Sequence, residues 1–123
     1  MSVRERLTLF DTTLRDGAQT QGVDFSVEDK RQIALALDAL GIDYVEGGWP
    51  GANPTDTAFF SERPPLKRAR FTAFGMTKRS GRSAANDPGL ASILDAEADA
   101  AFSRVVRLAR YLFSEGVMVV LPA

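Results

Sequence analysis

The sequence predicts an α/β fold in which parallel strands are joined by right-handed helical crossovers. Short β-rich segments alternate with helical segments along the chain, which is the pattern of a parallel sheet. Polar residues also gather at three points where a predicted strand ends, at residues 11–19, 46–49 and 75–78. Because the carboxyl ends of parallel strands form the ligand face of such folds, the three clusters predict one site at one edge of the sheet.

The composition excludes several classes of protein. The 123 residues carry a net charge of −1, so we expect no binding to nucleic acid or to an anionic membrane. No apolar run approaches the ~18 residues of a membrane span. Residues 1–10 lack the apolar core of a signal peptide, and we therefore expect a cytoplasmic protein. Cysteine and histidine are both absent, which excludes disulfides, thiolate chemistry and imidazole groups from this chain.

The first predicted strand covers residues 7–12, and an amphipathic helix follows it. Ser26 is a favoured N-cap residue, and Asp29 three residues later makes a variant of the capping box. Gly41 stands where a helix ends in the left-handed conformation. The apolar face that recurs at helical spacing, and that we expect to be buried, consists of Ile33, Leu37 and Leu40.

Two further strands are predicted at residues 42–47 and 69–74, each followed by a helix start. Asn53 and then Pro54 begin a short helix, because asparagine caps a helix and proline fits its first turn. Asp87 and then Pro88 give the same signal after the third strand.

The region from residue 90 to residue 113 keeps a helical apolar period almost without a gap. This pattern predicts one long helix, or two nearly continuous ones, between Pro88 and Phe113. Gly116 then ends the helix, and VMVVL at residues 117–121 predicts the fourth parallel strand.

Two motifs resemble those of a known enzyme family. FDTTLRDGAQ at residues 10–19 resembles the signature of the acyl-CoA condensing synthases, which include isopropylmalate, homocitrate and citramalate synthases, and of their lyase relatives. FSVEDKRQIALALDALGIDYVEGGWPGANPTDTAFF at residues 25–60 resembles the citramalate synthase branch, above all at EGGWPGANP. The likeness covers residues 7–94 and implies a TIM barrel, here truncated to about four strands.

The resemblance implies a condensation of acetyl-CoA with a 2-oxo acid, here pyruvate, to give (R)-citramalate and CoA in isoleucine biosynthesis. A divalent metal, either Mg, Mn or Zn, would hold the keto and carboxylate oxygens of the oxo acid. In that scheme Arg15 contacts the oxo acid and stabilises the oxyanion, while Asp16 binds the metal. Gln19 would orient the oxo acid, and Glu46 would be a catalytic acid–base or supporting group.

The chain also departs from that family's pattern. The family's other metal ligands are a His-x-His pair, and this chain has no histidine. An eight-stranded barrel needs ~200 residues or more. A Gly-Lys-Ser-Trp stretch is missing after GLASILDAEADA, which predicts an internal deletion near residues 95–104. We therefore expect residues 1–123 to form one partial catalytic domain, with an incomplete metal site and no activity alone.

Two classes of function stay open at this point. The first is an incomplete condensing enzyme, of the citramalate type or of the 2-isopropylmalate or homocitrate type. The second is a non-catalytic α/β fragment or relic that self-associates. Both predict a homo-oligomer, because a half-barrel leaves open sheet edges and residues 117–121 carry no charge.

Several of these residues also have plain structural interpretations. Arg15 and Asp16 could form a loop salt bridge, and Asp11 could bond nearby backbone amides. Trp49 and Pro50 are typical of loop packing. The basic residues between positions 67 and 82 are typical of a solvated surface.

Overall fold

The computed structural model describes residues 4–104 and 120–122. Strands within this part of the chain are β1 Phe10–Asp11, β2 Tyr44–Gly48, β3 Arg70–Met76, β4 Ala100–Arg104 and β5 Val120–Pro122. The α-helices are α1 Val27–Leu40, α2 Pro54–Ser61 and α3 Pro88–Asp95. Short 3-10 turns cover Gly17–Gln19 and Ala84–Asn86.

The strands form one sheet in the order β1-β2-β3-β4-β5. The first four are parallel, with Phe10 opposite Tyr44 and Val45 opposite Phe71. The fifth is short and runs antiparallel to β4. Four parallel strands that alternate with helices confirm the α/β prediction and are consistent with a truncated TIM barrel.

Helix α1 begins and ends where the sequence predicts. Ser26 accepts a hydrogen bond from the Asp29 backbone while the Asp29 carboxylate accepts from the Ser26 backbone, so the capping box is complete. Gly41 closes the helix with φ of 95°. The predicted buried face is wrong at Leu40, which is 76% exposed. The fully buried positions of α1 are Lys30, Ala34 and Asp38.

The core between the helices and the sheet is centred on the buried ring of Phe59 in α2. Its ring contacts those of Phe60 and Phe71 edge-on, with centroids 5.6 Å apart in both pairs. A Cβ at Gly47 would lie 2.7 Å from the Phe59 ring, so glycine at this point of β2 lets the helix pack closely.

The long helix predicted between Pro88 and Phe113 is wrong. Helix α3 ends at Asp95, and β4 follows at Ala100–Arg104 in parallel register with β3. Glu97 adopts φ of 48°, which turns the chain out of the helix. Apolar period alone cannot separate a short buried strand from a helix, and pairing with the free edge of β3 decided the outcome.

The fourth parallel strand is therefore β4 and not residues 117–121, which is a second correction. Residues 120–122 form β5 and pair antiparallel with β4, while residues 105–119 lie outside the described part of the chain. The internal deletion near residues 95–104 stays a prediction.

Candidate active site

The turn after β1 is built to present an arginine. The backbone N–H groups of Arg15 and Gly17 both donate to the Thr12 carbonyl, at 3.1 and 3.2 Å, which closes a tight turn. Asp11 accepts hydrogen bonds from the Thr13 backbone N–H at 2.9 Å and the Thr13 hydroxyl at 3.1 Å. The structural interpretation of Asp11 is thus confirmed: its carboxylate holds the turn that carries Arg15.

The Arg15 guanidinium lies at the centre of the cluster. Its Nε donates to Oε1 of Glu46 on β2, and one terminal nitrogen lies 2.7 Å from Oδ1 of Asp16. Its Cζ lies 4.1 Å from the centroid of the Phe74 ring on β3. The side chain is only 14% exposed. The structure therefore brings Arg15, Asp16 and Glu46 together at one end of the sheet, as the strand-end clusters predict.

Glu46 is a buried carboxyl with one oxygen in use. Its side chain is 1% exposed, and Oε2 has no hydrogen-bond partner among the described residues. Thr72 stands opposite Glu46 in the β2–β3 register, and its buried hydroxyl likewise has no partner there. Two neighbouring strands thus present unsatisfied polar atoms, which favours a site that is completed by other groups.

Burial raises the pKa of the Glu46 carboxyl, because a charge is costly away from water. The hydrogen bond and the positive charge of Arg15 oppose this shift, and the negative charge of Asp16 adds to it. A carboxyl with a raised pKa can hold or release a proton under milder conditions than an exposed one.

Asp16 sits at the open side of the cluster. Its side chain is 56% exposed and paired with Arg15. Among the described residues, no group of three or more carboxylates could hold a metal ion. One exposed carboxylate does not fix the geometry of a divalent cation, so the described residues do not make a metal site by themselves.

A cleft of about 380 Å³ opens beside Arg15. Gln19 is exposed and lines it together with Trp49. The Trp49 ring also packs edge-on against Phe74, with centroids 5.0 Å apart, as a packing role would require.

Sequence reasoning missed three features of this site. Phe74, which supports the Arg15 guanidinium, was read only as part of a strand. Thr72 was not singled out. Lys30 was not singled out either, although its spacing of four residues from buried Ala34 puts it on the inward face of α1.

No helix among the described residues is long and apolar enough to cross a membrane.

Comparisons with known proteins give a consistent set of relatives. The family model described as HMGL-like matches residues 6–93. The (R)-citramalate synthase of Aquifex aeolicus is 50% identical over 95 residues, which are 76% of this chain and 18% of that protein. The (R)-citramalate synthase of Sulfolobus acidocaldarius is 50% identical over 93 residues, which are 74% of this chain and 18% of that protein.

A second type of relative matches a shorter region. The 2-isopropylmalate synthase of Listeria monocytogenes serotype 4a is 56% identical over 52 residues, which are 42% of this chain and 10% of that protein. The chain thus spans less than a fifth of the length of the curated synthases that it matches.

Proposed function

This chain belongs to the HMGL-like family, and we propose that it is the N-terminal part of a citramalate synthase-like acyltransferase. Its curated relatives are citramalate and isopropylmalate synthases, which are acyl-CoA condensing enzymes. We further propose acetyl-CoA and pyruvate as the substrates and (R)-citramalate as the product, for isoleucine biosynthesis in the cytoplasm. The matches to named citramalate synthases, at 50% identity, support this choice.

The proposed reaction is a Claisen condensation followed by hydrolysis. A base removes a proton from the acetyl methyl group, and that carbon forms a bond to the keto carbon of pyruvate. The keto oxygen becomes an alkoxide and takes up a proton. Water then cleaves the thioester, so that acetyl-CoA, pyruvate and water give citramalate and free CoA.

One observation carries the proposal: the Arg15 guanidinium is fixed between two carboxylates at the carboxyl ends of β1 and β2. Negative charge grows on the keto oxygen during the attack, and a preorganised cation beside that oxygen lowers the barrier. Arg15 is held by Glu46 and by the Phe74 ring, so it need not reorganise as the charge develops. Gln19 lines the adjoining cleft, from which its amide can orient the oxo acid.

Glu46 is proposed as the acid–base group of this part of the site. It touches Arg15 through Oε1, while Oε2 is buried and has no partner among the described residues. Its raised pKa suits the transfer of a proton to the growing alkoxide. In the resting state Glu46 also orients the guanidinium.

Asp16 is proposed as a single ligand to a divalent ion, either Mg, Mn or Zn, whose other ligands lie on segments outside the described residues. When bound, such an ion would supply a positive charge that holds the oxygens of the oxo acid. Asp16 is the exposed carboxylate that pairs with Arg15, and the roles proposed for Arg15 and Glu46 do not require the ion.

We propose that the chain is incomplete by itself. Four parallel strands are half of an eight-stranded barrel. An internal deletion near residues 95–104 remains part of this proposal, within one partial domain spanning residues 1–123. Self-association into a homo-oligomer would cover the open edges of the sheet.

Two alternatives differ in their observable consequences. A 2-isopropylmalate or homocitrate synthase-type enzyme would use a different 2-oxo acid, and the match to the Listeria synthase favours considering the first of these. A non-catalytic α/β fragment that self-associates would keep the fold without turnover.

A segment-swap hybrid tests the proposal. The aligned region of this chain replaces the matching region of the Aquifex aeolicus (R)-citramalate synthase, and release of free CoA is measured with pyruvate. A branched 2-oxo acid that would lead to 2-isopropylmalate is tested in parallel. We expect pyruvate-dependent CoA release that falls by about 10²–10³-fold in Arg15→Gln, as for the loss of one oxyanion donor.

The matched control is Arg82→Gln, because Arg82 is exposed and its guanidinium donates to the Asn86 carbonyl. If the hybrid prefers the branched 2-oxo acid to pyruvate, the chain comes from an enzyme of the isopropylmalate synthase type instead. A folded but inactive hybrid, or one that is active regardless of Arg15, would contradict the proposed role.

A further inference from the structure

Lys30 is a buried cation that the proposed chemistry does not use. It lies on the inward face of α1, and 1% of the residue is exposed. Lysine is almost never fully buried unless it is paired. Its Nζ donates to the Gly47 carbonyl at 2.8 Å and to Oδ1 of Asp56 on α2. The ammonium group therefore ties α1 to the end of β2 and to the start of α2.

The Asp56 carboxylate continues this connection into the β2–α2 turn, which comprises residues 49–53. Its Oδ2 accepts hydrogen bonds from the Trp49 backbone N–H at 2.8 Å and from the Asn53 side chain at 3.0 Å. Gly48 adopts φ of 149°, and a Cβ there would lie 2.5 Å from the Asp56 carboxyl carbon. The turn is thus folded directly over a carboxylate that Lys30 neutralises.

Aromatic contacts lead from this turn to Arg15. The Trp49 ring meets the Phe74 ring edge-on at 5.0 Å, with an interplanar angle of 79°. The Arg15 Cζ lies 4.1 Å from the Phe74 ring centroid, within the range of a cation–π contact. A shift of the turn that moves Trp49 would remove its contact with the Phe74 ring, which also contacts the Arg15 guanidinium.

We infer that Lys30 is a positioning residue for the Arg15 guanidinium, acting through Asp56, Trp49 and Phe74. The inference rests on the proposed function, since Arg15 is the group that it positions. Lys30 lines the same cleft as Arg15, but its Nζ is engaged by the Gly47 carbonyl and the Asp56 carboxylate, so we assign it a positioning role. Without the Lys30 charge, the Asp56 carboxylate is a buried charge with no cation beside it, which is costly. The carboxylate can reach water only if the turn moves.

The chain offers two local probes for this inference. Trp49 is the only tryptophan, so intrinsic tryptophan emission reports the turn alone. Arg15 is 14% exposed and ion-paired, so it is protected from phenylglyoxal, which adds to guanidinium groups. Reaction at each arginine is followed by peptide mass spectrometry. Arg63, which donates to the backbone carbonyls of Phe60, Ala96 and Glu97, serves as an internal reference for general loosening.

The experiment uses the full chain in three variants. Lys30→Met removes the charge and keeps most of the side-chain volume, and Lys78→Met is the matched control at an exposed lysine. Lys30→Met/Asp56→Asn removes both charges but keeps an oxygen that can accept the Trp49 N–H. If the charge of Lys30 matters because it neutralises Asp56, the double variant restores the turn, whereas a purely packing role gives no restoration.

We expect Lys30→Met to raise the rate of Arg15 modification at least about fivefold, because modification follows the population of locally opened states. Trp49 emission should shift to longer wavelength, while the rate of Arg63 modification should not change. The Lys78→Met protein should match the original chain in both readouts. The double variant should return the Arg15 rate to within about twofold of the original chain. An unchanged Arg15 rate in folded Lys30→Met, or no restoration in the double variant, overturns the inference.

If Lys30→Met also raises the rate of Arg63 modification, the fold has loosened generally. A further variant, Trp49→Leu, then decides the outcome. That variant removes the edge contact with Phe74 and leaves the buried ion pair intact. Acceleration at Arg15 alone supports the connection, and an unchanged Arg15 rate overturns it. None of these readouts requires turnover, so an inactive segment-swap hybrid would contradict the proposed function without altering this result.

Discussion

Replacing Asp38 by alanine should destabilise the chain more than any change of an exposed acidic residue. Asp38 lies in the last turn of α1, and its carboxylate accepts three backbone N–H groups. The donors are Lys67 at 2.7 Å, Arg68 at 2.9 Å and Ala69 at 2.7 Å. This contact fixes the entry into β3, the strand that carries Phe74.

The free energy of unfolding should fall by about 3–4 kcal/mol, which is less than the sum of three hydrogen bonds to a charged acceptor. Two effects reduce the loss. Lys67 and Arg68 are exposed, so their amides regain water, whereas the amide of buried Ala69 is left unsatisfied. Removing a negative charge from a helix C-terminus also relieves its repulsion with the helix dipole, which stabilises the fold by up to ~0.5 kcal/mol. Asp38→Asn keeps one acceptor oxygen and should cost about half as much.

Urea unfolding followed by circular dichroism measures these differences. The matched control is Asp95→Ala, which likewise removes an acid from the last turn of a helix, but at an exposed position, and should change the free energy of unfolding by less than about 0.5 kcal/mol. A loss below about 1 kcal/mol for Asp38→Ala, or one equal to that of Asp95→Ala, would refute the reasoning.

The pH dependence gives an independent check. The backbone hydrogen bonds from Ala69 and Lys67 hold the pKa of Asp38 below its ordinary value of 3.8. A depressed folded pKa means that the stabilisation is fully present above the unfolded pKa and is lost as the pH falls through the folded pKa. The stability difference between the original chain and Asp38→Asn should therefore be constant at neutral pH and shrink below pH 3.8.

Three further predictions concern the core, the turn and the assembly. Phe59→Ala should cost about 3–5 kcal/mol in urea unfolding because the ring is fully buried, whereas Leu94→Ala at an exposed position should cost less than about 0.5. Gly48→Ala should lower the free energy of unfolding by about 2–3 kcal/mol, because the added Cβ would clash with Asp56. Gly22→Ala, where nothing lies within 4 Å of the added Cβ, should lower it by only about 1–2 kcal/mol, and equal losses would exclude a clash. Sedimentation at micromolar concentration should show a dimer or larger oligomer that Leu9→Lys weakens, because Leu9 is exposed beside the edge strand β1; a clean monomer would contradict the half-barrel account.

The local parts of the fold could be predicted from the sequence because their signals lie within a few residues. Ser26 and Asp29 form a complete capping box, and Asn53 and Asp87 both cap the helices that they were expected to begin. Each of these contacts spans three residues, so the order of the chain already brings the partners together.

The parts that failed depend on partners distant in sequence. Residues 100–104 carry an apolar period that fits a helix, but pairing with β3 makes them a strand. Leu40 has the right spacing for the buried face of α1, yet buried Lys30 takes an inward position because Asp56, 26 residues away, neutralises it. Such choices follow from tertiary contacts and are absent from any single window of sequence.

The candidate site divides in the same way. Arg15, Asp16 and Glu46 could be expected to meet, since all three follow or end predicted parallel strands. The stacking of Arg15 on Phe74 and the support of Trp49 by Asp56 could not, because both depend on side-chain directions across the sheet. The roles assigned to the three site residues stay predictions.

The most direct test of the central claim combines this chain with the remaining part of a relative. The full chain is mixed with Aquifex aeolicus (R)-citramalate synthase from which the matching 95 residues have been deleted, and pyruvate-dependent release of CoA from acetyl-CoA is measured with magnesium or manganese. We predict no release by either partner alone, release by the mixture, and loss of that release in Asp16→Asn and Arg15→Gln. Turnover by the chain alone that vanishes in Asp16→Asn would contradict the claim that it is incomplete. A stable mixed complex without turnover, or with turnover that both variants retain, would contradict the claim that it supplies part of the condensing site.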